Sequence, residues 1–143
     1  MENYLRITGT KEQLDEAVLK LCGKKGVVKF KPSGAYLKQH PAIPETGVKE
    51  KSPVTFDPGF NDERLLAFKT VYMPPFMLYK GITKQLPDIE MEYAYMDRSR
   101  YHEVGHGFYK AGKTHNCEQK KFKASSPQLE PLYRSLLQKM KYN

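Results

Sequence analysis

Apolar and polar residues alternate over positions 4–8, with Leu5 and Ile7 on one face and Tyr4, Arg6 and Thr8 on the other. That is the period of a half-buried strand, and Gly9 ends it. Thr10-Lys-Glu-Gln13 then has the form of a capping box. Leu14, Ala17, Val18, Leu21 and Cys22 follow at helical spacing, and Gly23 and Gly26, with Lys24 and Lys25 between them, predict the helix stop. Residues 27–31 read as a second strand, with Val28 and Phe30 on one face.

The pattern resumes at 65–72, where Leu66, Phe68, Thr70 and Tyr72 face one way and Ala67, Lys69 and Val71 the other. Pro74 and Pro75 end this strand and suit the first turn of a helix, whose amides are unpaired in any case. Leu78, Ile82 and Leu86 form the helix's apolar stripe, with Tyr79 beside it, and Pro87-Asp88 closes it. Ile89, Met91, Tyr93 and Tyr95 then alternate with Glu90, Glu92, Ala94 and Met96, a strand that turns back as a hairpin through 103–109. Ala111-Gly112 is a turn signal, and 114–122 reads as a further strand. A final amphipathic helix over 126–141 carries Leu129, Leu132, Tyr133, Leu136, Leu137 and Met140 on one side. Pro131 fits only its first turn, which puts the regular helix start near Glu130. Its stripe needs a cover, either the open sheet face or a second copy of the chain.

Between these patterned halves the periodicity disappears. Residues 32–62 hold five of the ten prolines (Pro32, Pro41, Pro44, Pro53, Pro58), which argues for a long insertion loop within one 143-residue domain. Tyr36, Leu37, Ile43, Val54, Phe56 and Phe60 anchor it to the body, with a short strand expected at 54–56. No apolar run approaches the roughly 18 residues of a membrane span, and the first residues have no signal-peptide pattern. Two cysteines are too few for a disulfide scaffold, so a cytoplasmic setting is expected. Residues 114–143 carry six Lys/Arg against two acids, a net +4 of the total +8, and such a basic tail suits nucleic acid or an acidic protein surface.

The order β-α-β, long loop, β-α-β, hairpin and helix predicts an α+β protein: a ferredoxin-like split β-α-β antiparallel sheet, helices on one face, with an added C-terminal hairpin and terminal helix. Its core should contain Leu5, Ile7, Leu14, Val18, Leu21, Phe68, Leu78, Ile82, Ile89, Met91 and Tyr93. Asn3-Tyr-Leu-Arg-Ile-Thr-Gly9 resembles the opening Asn-x-Leu-x-Ile-x-Gly of a family of small phage and plasmid proteins with a ferredoxin-like domain. Phe68-Lys-Thr-Val-Tyr-Met-Pro-Pro75 is similar to that family's Phe-x-Thr-x-Trp-x-Pro-Pro, with Tyr72 in place of Trp, and Gly105-His-Gly-Phe108 to its Gly-x-Gly-Phe. The resemblance brings no catalytic residues. It implies a non-enzymatic mobile-element protein, of a kind that acts against host defence, including CRISPR systems.

Three constellations bear on chemistry. With the turn at Ala111-Gly112, position 106 faces 117 and 108 faces 115, which brings His106, His115 and Cys117 together, with His102 nearby. That spacing fits no common zinc motif, and surface histidines are expected in place of a metal site. Glu90 and Glu92 share a strand face without a nucleophile or base motif beside them. The chain has no phosphate-binding or dinucleotide-binding glycine motif, so neither an enzyme nor a cofactor is expected. One aromatic and two acids on the sheet's other face make a poor base-stacking platform. Partner contact is expected instead at the loop residues Tyr36, Phe56, Phe60 and Arg64 and at Lys120, Lys121, Lys123, Arg134, Lys139 and Lys141. The expected partner is a protein or ribonucleoprotein of host defence. The alternative is nonspecific nucleic-acid binding through the basic C-terminal segment.

Overall fold

The computed structural model describes residues 1–22, 55–57, 62–70, 74–98, 102–123 and 126–142. The expected strand at 27–31, most of the 32–62 loop and Tyr72 lie outside them. Among the described residues the chain is α+β, with the elements β1 (Glu2–Thr8), α1 (Lys11–Cys22), β2 (Thr55–Asp57), β3 (Glu63–Lys69), α2 (Phe76–Gln85), β4 (Glu90–Asp97), β5 (Glu103–Lys110), β6 (Lys113–Lys121) and α3 (Leu129–Tyr142). Every strand pairing is antiparallel, in the order β2-β3-β1-β4-β5-β6. Five strands have seven to nine residues, while β2, close to the expected 54–56, is a three-residue edge. β1 lies between β3 and β4. The connection from β3 through α2 to β4 therefore steps over one strand.

Local chemistry accounts for the element boundaries. The Thr10 hydroxyl accepts from the Gln13 amide at 3.4 Å while Gln13 Oε1 accepts from the Thr10 amide at 3.2 Å, so the capping box forms at the head of α1. Pro74 and Pro75 precede α2, and the Leu86 amide closes it on the Ile82 carbonyl at 2.9 Å. α3 begins at Leu129, one residue earlier than expected, with Pro131 in the first turn where no amide is needed. Ala111 and Gly112 both have positive φ, +51° and +76°, as a two-residue turn between twisted strands requires.

Two apolar cores lie on opposite faces of the sheet. One gathers Leu5, Ile7, Leu66, Phe68, Ile89, Met91, Tyr93 and Tyr95 from the strands with Leu14, Ala17 and Leu21 of α1 and Tyr79 and Ile82 of α2. Val18 and Leu78, expected in this core, pack against it half-buried. The other gathers Tyr4, Leu65, Ala94, Met96 and Val104 under Leu129, Tyr133 and Met140 of α3. The helices thus occupy both faces: α3 covers the sheet face that α1 and α2 leave open, one of the two covers expected for its stripe, because the stripe finds apolar positions alternating with the first set along the same strands.

α2 also sits differently on the sheet than its leucines suggest. Its fully buried residues are Tyr79, Ile82 and Thr83, whereas Leu78 and Leu86 are half-buried. The rotation comes from two attractions. Tyr79 enters a cluster of rings with Phe76, Tyr93, Tyr95 and Tyr109, whose centroids stand 5.3–6.5 Å apart. Thr83 satisfies its hydroxyl by donating to the Tyr79 carbonyl at 2.8 Å and accepting from the Gly112 amide at 3.2 Å. The Tyr79 hydroxyl is buried and has no hydrogen-bond partner among the described residues. Deleting an unpartnered polar atom removes a desolvation cost, so Tyr79→Phe should raise unfolding stability by about 1 kcal/mol. Urea unfolding of the two chains checks this, and a loss of stability would reveal a bond to that hydroxyl.

Two of the motif segments noted in the sequence meet inside this frame. Asn3 is buried, and its amide donates to the Thr70 hydroxyl at 2.8 Å and, at 3.5 Å, to the Phe68 carbonyl. Gly105 and Gly107 stand opposite Tyr95 and Tyr93, whose rings fold across β5 at these positions. The glycine alternation is therefore a requirement of ring packing.

Candidate functional site

The exposed edge of the sheet is β6. All nine of its residues are exposed, and among the described residues it pairs with β5 on one side only, which offers a backbone edge on the other. Lys120, Lys121 and Lys123 crowd its far end, all exposed, with Lys120 Nζ 5.2 Å from the centre of the Phe122 ring. Arg134 and Lys139 project outward from α3, where Arg134 bonds Glu130 at 2.9 Å, and Lys141 falls in the helix's last turn. That bond, followed by the charge of Arg98, holds the Glu130 carboxyl below its usual range. The basic tail of the sequence is thus divided between a strand end and a helix surface.

The loop candidates fare differently. Tyr36 and Phe60 lie outside the described residues, and Phe56 is known only by its place in β2 opposite Leu66. Arg64 is not a free contact residue: it is 7% exposed and donates to the Glu63 carbonyl at 2.8 Å and to Asp15 of α1 at 3.3 Å. It fastens the end of β3 to α1, and its side chain is committed there.

The expected alignment of His106 with Cys117 does not form. Phe108 does face His115, but His106 faces Glu118, because the register shifts between 106 and 108. Asn116 has φ +49°, so one extra residue is accommodated as a bulge at 116–117. The bulge turns Cys117 to the opposite face, where its Sγ accepts from the Tyr93 hydroxyl at 3.5 Å. Among the described residues no group of three or more His, Cys, Asp or Glu side chains could hold a metal ion.

What the structure does assemble on the α3 face is a charged line across four strands, β3, β1, β4 and β5. Arg6 donates to Glu63 at 3.0 Å and stands 3.6 Å from Glu92 Oε1, while Glu92 Oε2 lies 2.8 Å from His106 Nε2. Arg6 also reaches the Met140 carbonyl at 3.2 Å, satisfying an open carbonyl at the end of α3. Farther along, His115 stacks on Phe108 at 5.0 Å and lies 3.5 Å from Glu90. The His106–Glu92 pair has the composition of a general-base dyad. Both Glu92 oxygens are occupied, however, and Arg6 ties the group to α3, so its visible role is to lock the last helix onto the sheet. Sequence reading placed Arg6 and Glu92 outward but could not join them, because strand adjacency is a tertiary fact.

No protein-family model matches this chain, and no curated protein and no solved structure matches it significantly. No helix among the described residues is long and apolar enough to cross a membrane.

Proposed function

We propose that this protein is a binder that acts by stoichiometric contact on a host defence complex of CRISPR–Cas type, from a ferredoxin-like scaffold carrying an added hairpin and helix. The scaffold reading is supported by β1 lying between β3 and β4, and by β3 lying between β1 and β2, with α1 and α2 in the connections. The observation that carries the binding reading is the exposed nine-residue strand β6, an edge of the sheet among the described residues, with Lys120 and Lys121 at its end and Lys123 beyond. An exposed edge strand is a surface on which another chain can add its backbone, and its side chains select which chain does so. The nature of the target rests on the residue resemblance alone.

The test is affinity purification of the tagged protein from bacteria expressing a CRISPR–Cas effector, with and without nuclease. A defence subunit identified by mass spectrometry at one-to-one stoichiometry, retained after nuclease and lost on K120E/K121E/K123E, is the expected result. Nucleic acid recovered without any such subunit, and abolished by the same substitutions, would overturn this reading and favour direct nucleic-acid binding through the basic segment.

A further inference from the structure

A second basic surface lies at the other end of β6, made by segments that the sequence keeps apart. The Ala111-Gly112 turn folds against the last turns of α2, where the Gly112 amide donates to Thr83 Oγ1 at 3.2 Å. A Cβ built on Gly112 would stand 3.1 Å from Lys84 Cβ and 3.6 Å from the Lys80 carbonyl. The turn is flanked by Lys110 and Lys113, which are direct cross-strand partners. Lys80, Lys84, Lys110 and Lys113 therefore share one corner, and all four are exposed.

This corner is unlike the cations elsewhere. Each arginine among the described residues has a carboxylate within 4 Å: Arg6 with Glu63, Arg64 with Asp15, Arg98 and Arg134 with Glu130. None of the four corner lysines forms an ion pair among the described residues. Glu90, opposite Lys110 on β4, is instead 3.5 Å from His115, and Asp88 in the α2–β4 connection makes no ion pair there either. Lys80 and Lys84 also complement the C-terminal dipole of α2, which is a sufficient structural reason for that pair. It does not extend to Lys110 and Lys113, whose like charges directly opposite each other work against the hairpin. An uncompensated like-charge pair added to two further lysines concentrates positive potential at the corner, where a multivalent anion would relieve the repulsion.

We infer that this corner binds the phosphodiester backbone of nucleic acid, through Lys80, Lys84, Lys110 and Lys113 and without reading bases. Lysines act on phosphates as point charges and need no fixed fork. The site is separate from the Lys120–Lys123 end of β6 and stands or falls independently of the inhibitor reading.

Fluorescence anisotropy with a labelled oligothymidylate of about 20 nucleotides, and with a duplex of equal length, tests it across a salt series. K80Q/K84Q/K110Q/K113Q should weaken binding at least about 10-fold near 50 mM salt and flatten the single-strand log–log salt slope by about 3, since each neutralised phosphate contributes about 0.7. K120Q/K121Q/K123Q should leave most of the affinity, and the fourfold Lys→Arg chain should restore it. Thermal unfolding confirms that the variants fold, and K110Q/K113Q, which removes the cross-strand pair alone, should lose about half of that slope change. Unchanged binding in the fourfold Gln variant, or loss only in the 120–123 variant, would overturn the assignment. So would binding of polyglutamate in the absence of oligonucleotide binding, which would make the corner a site for acidic protein.

Discussion

Gly105→Ala should destabilise the protein by about 3 kcal/mol, at the upper end of what overpacking a core costs. The added Cβ would stand 2.1 Å from Tyr95 Cε1 and 2.3 Å from Cζ, far inside van der Waals contact. The ring has little room to retreat. Tyr95 is 4% exposed, lies 6.4 Å from Tyr93 in a stacked arrangement and 6.0 Å from Phe76 edge-on, and donates its hydroxyl to Glu103 at 3.1 Å. Nor can the backbone easily move, because β5 is paired to β4 on one side and β6 on the other. At Gly107 the blocking atoms are the Tyr93 hydroxyl at 2.6 Å, Tyr93 Cζ at 2.8 Å and Cys117 Sγ at 2.9 Å, each farther off than the Tyr95 atoms that meet Gly105. Gly107→Ala should therefore cost less than Gly105→Ala. A double-mutant cycle isolates the cause. In a Tyr95→Ala background the Gly105→Ala cost should largely vanish, giving a coupling of about 2 kcal/mol or more by urea unfolding. Equal costs in both backgrounds would mean that the glycine serves the strand's backbone and not the ring.

That glycine pair also shows where sequence reading reached and where it stopped. The strands β1, β3, β4 and β5, the α1 capping box, the Ala111-Gly112 turn and the α3 stripe were legible because each rests on a period or a turn residue within a few positions. The small alternation Gly105-His-Gly107 was visible as a motif, but its reason, the two tyrosine rings crossing from β4, needs the neighbouring strand. The bulge at Asn116-Cys117 was illegible for the same kind of reason: one residue inserted in a polar edge strand leaves no hydrophobic pattern to go out of phase. Without that shift the alignment of His106 with Cys117 looked sound. The placement of α3 on the second face could not be chosen from its stripe, since the stripe fits any apolar surface of that width. Arg64 misled because an arginine beside an unpatterned loop looks free until Asp15 of α1 is seen to hold it. The lysine corner stayed hidden behind the more obvious run of charge at 120–123. Lys80 and Lys84 stand about thirty positions from Lys110 and Lys113, and only the turn packing on α2 unites them.

The largest response to solution conditions is expected at alkaline pH, and it follows from the ring cluster together with Tyr133 of α3, buried on the other face. Burial pushes the phenols of Tyr79, Tyr93, Tyr95 and Tyr133 well above the ordinary value of 10, with the Cys117 hydrogen bond adding to Tyr93 and the Glu103 charge to Tyr95. Burial likewise raises Tyr109 to about 12. A phenol is neutral when protonated, so a raised folded pKa means that the folded chain holds its proton more tightly than the unfolded chain does. Its contribution to stability is whole below pH 10 and is lost as the pH climbs through the folded value. Five such groups lose that contribution in the same direction, which predicts cooperative unfolding with its onset just above pH 10 and completion near 12. Absorbance at the tyrosinate band and far-UV circular dichroism, followed together, check this. While the chain remains folded, these five of the ten tyrosines should stay un-ionised, so the native tyrosinate signal should reach at most about half that of the urea-unfolded chain at the same pH. The remaining signal should then appear in one step with the loss of circular dichroism. Gradual ionisation of all ten with the fold intact would show that the cluster admits water and hydroxide, and that the rings between α2 and the sheet are not a closed core.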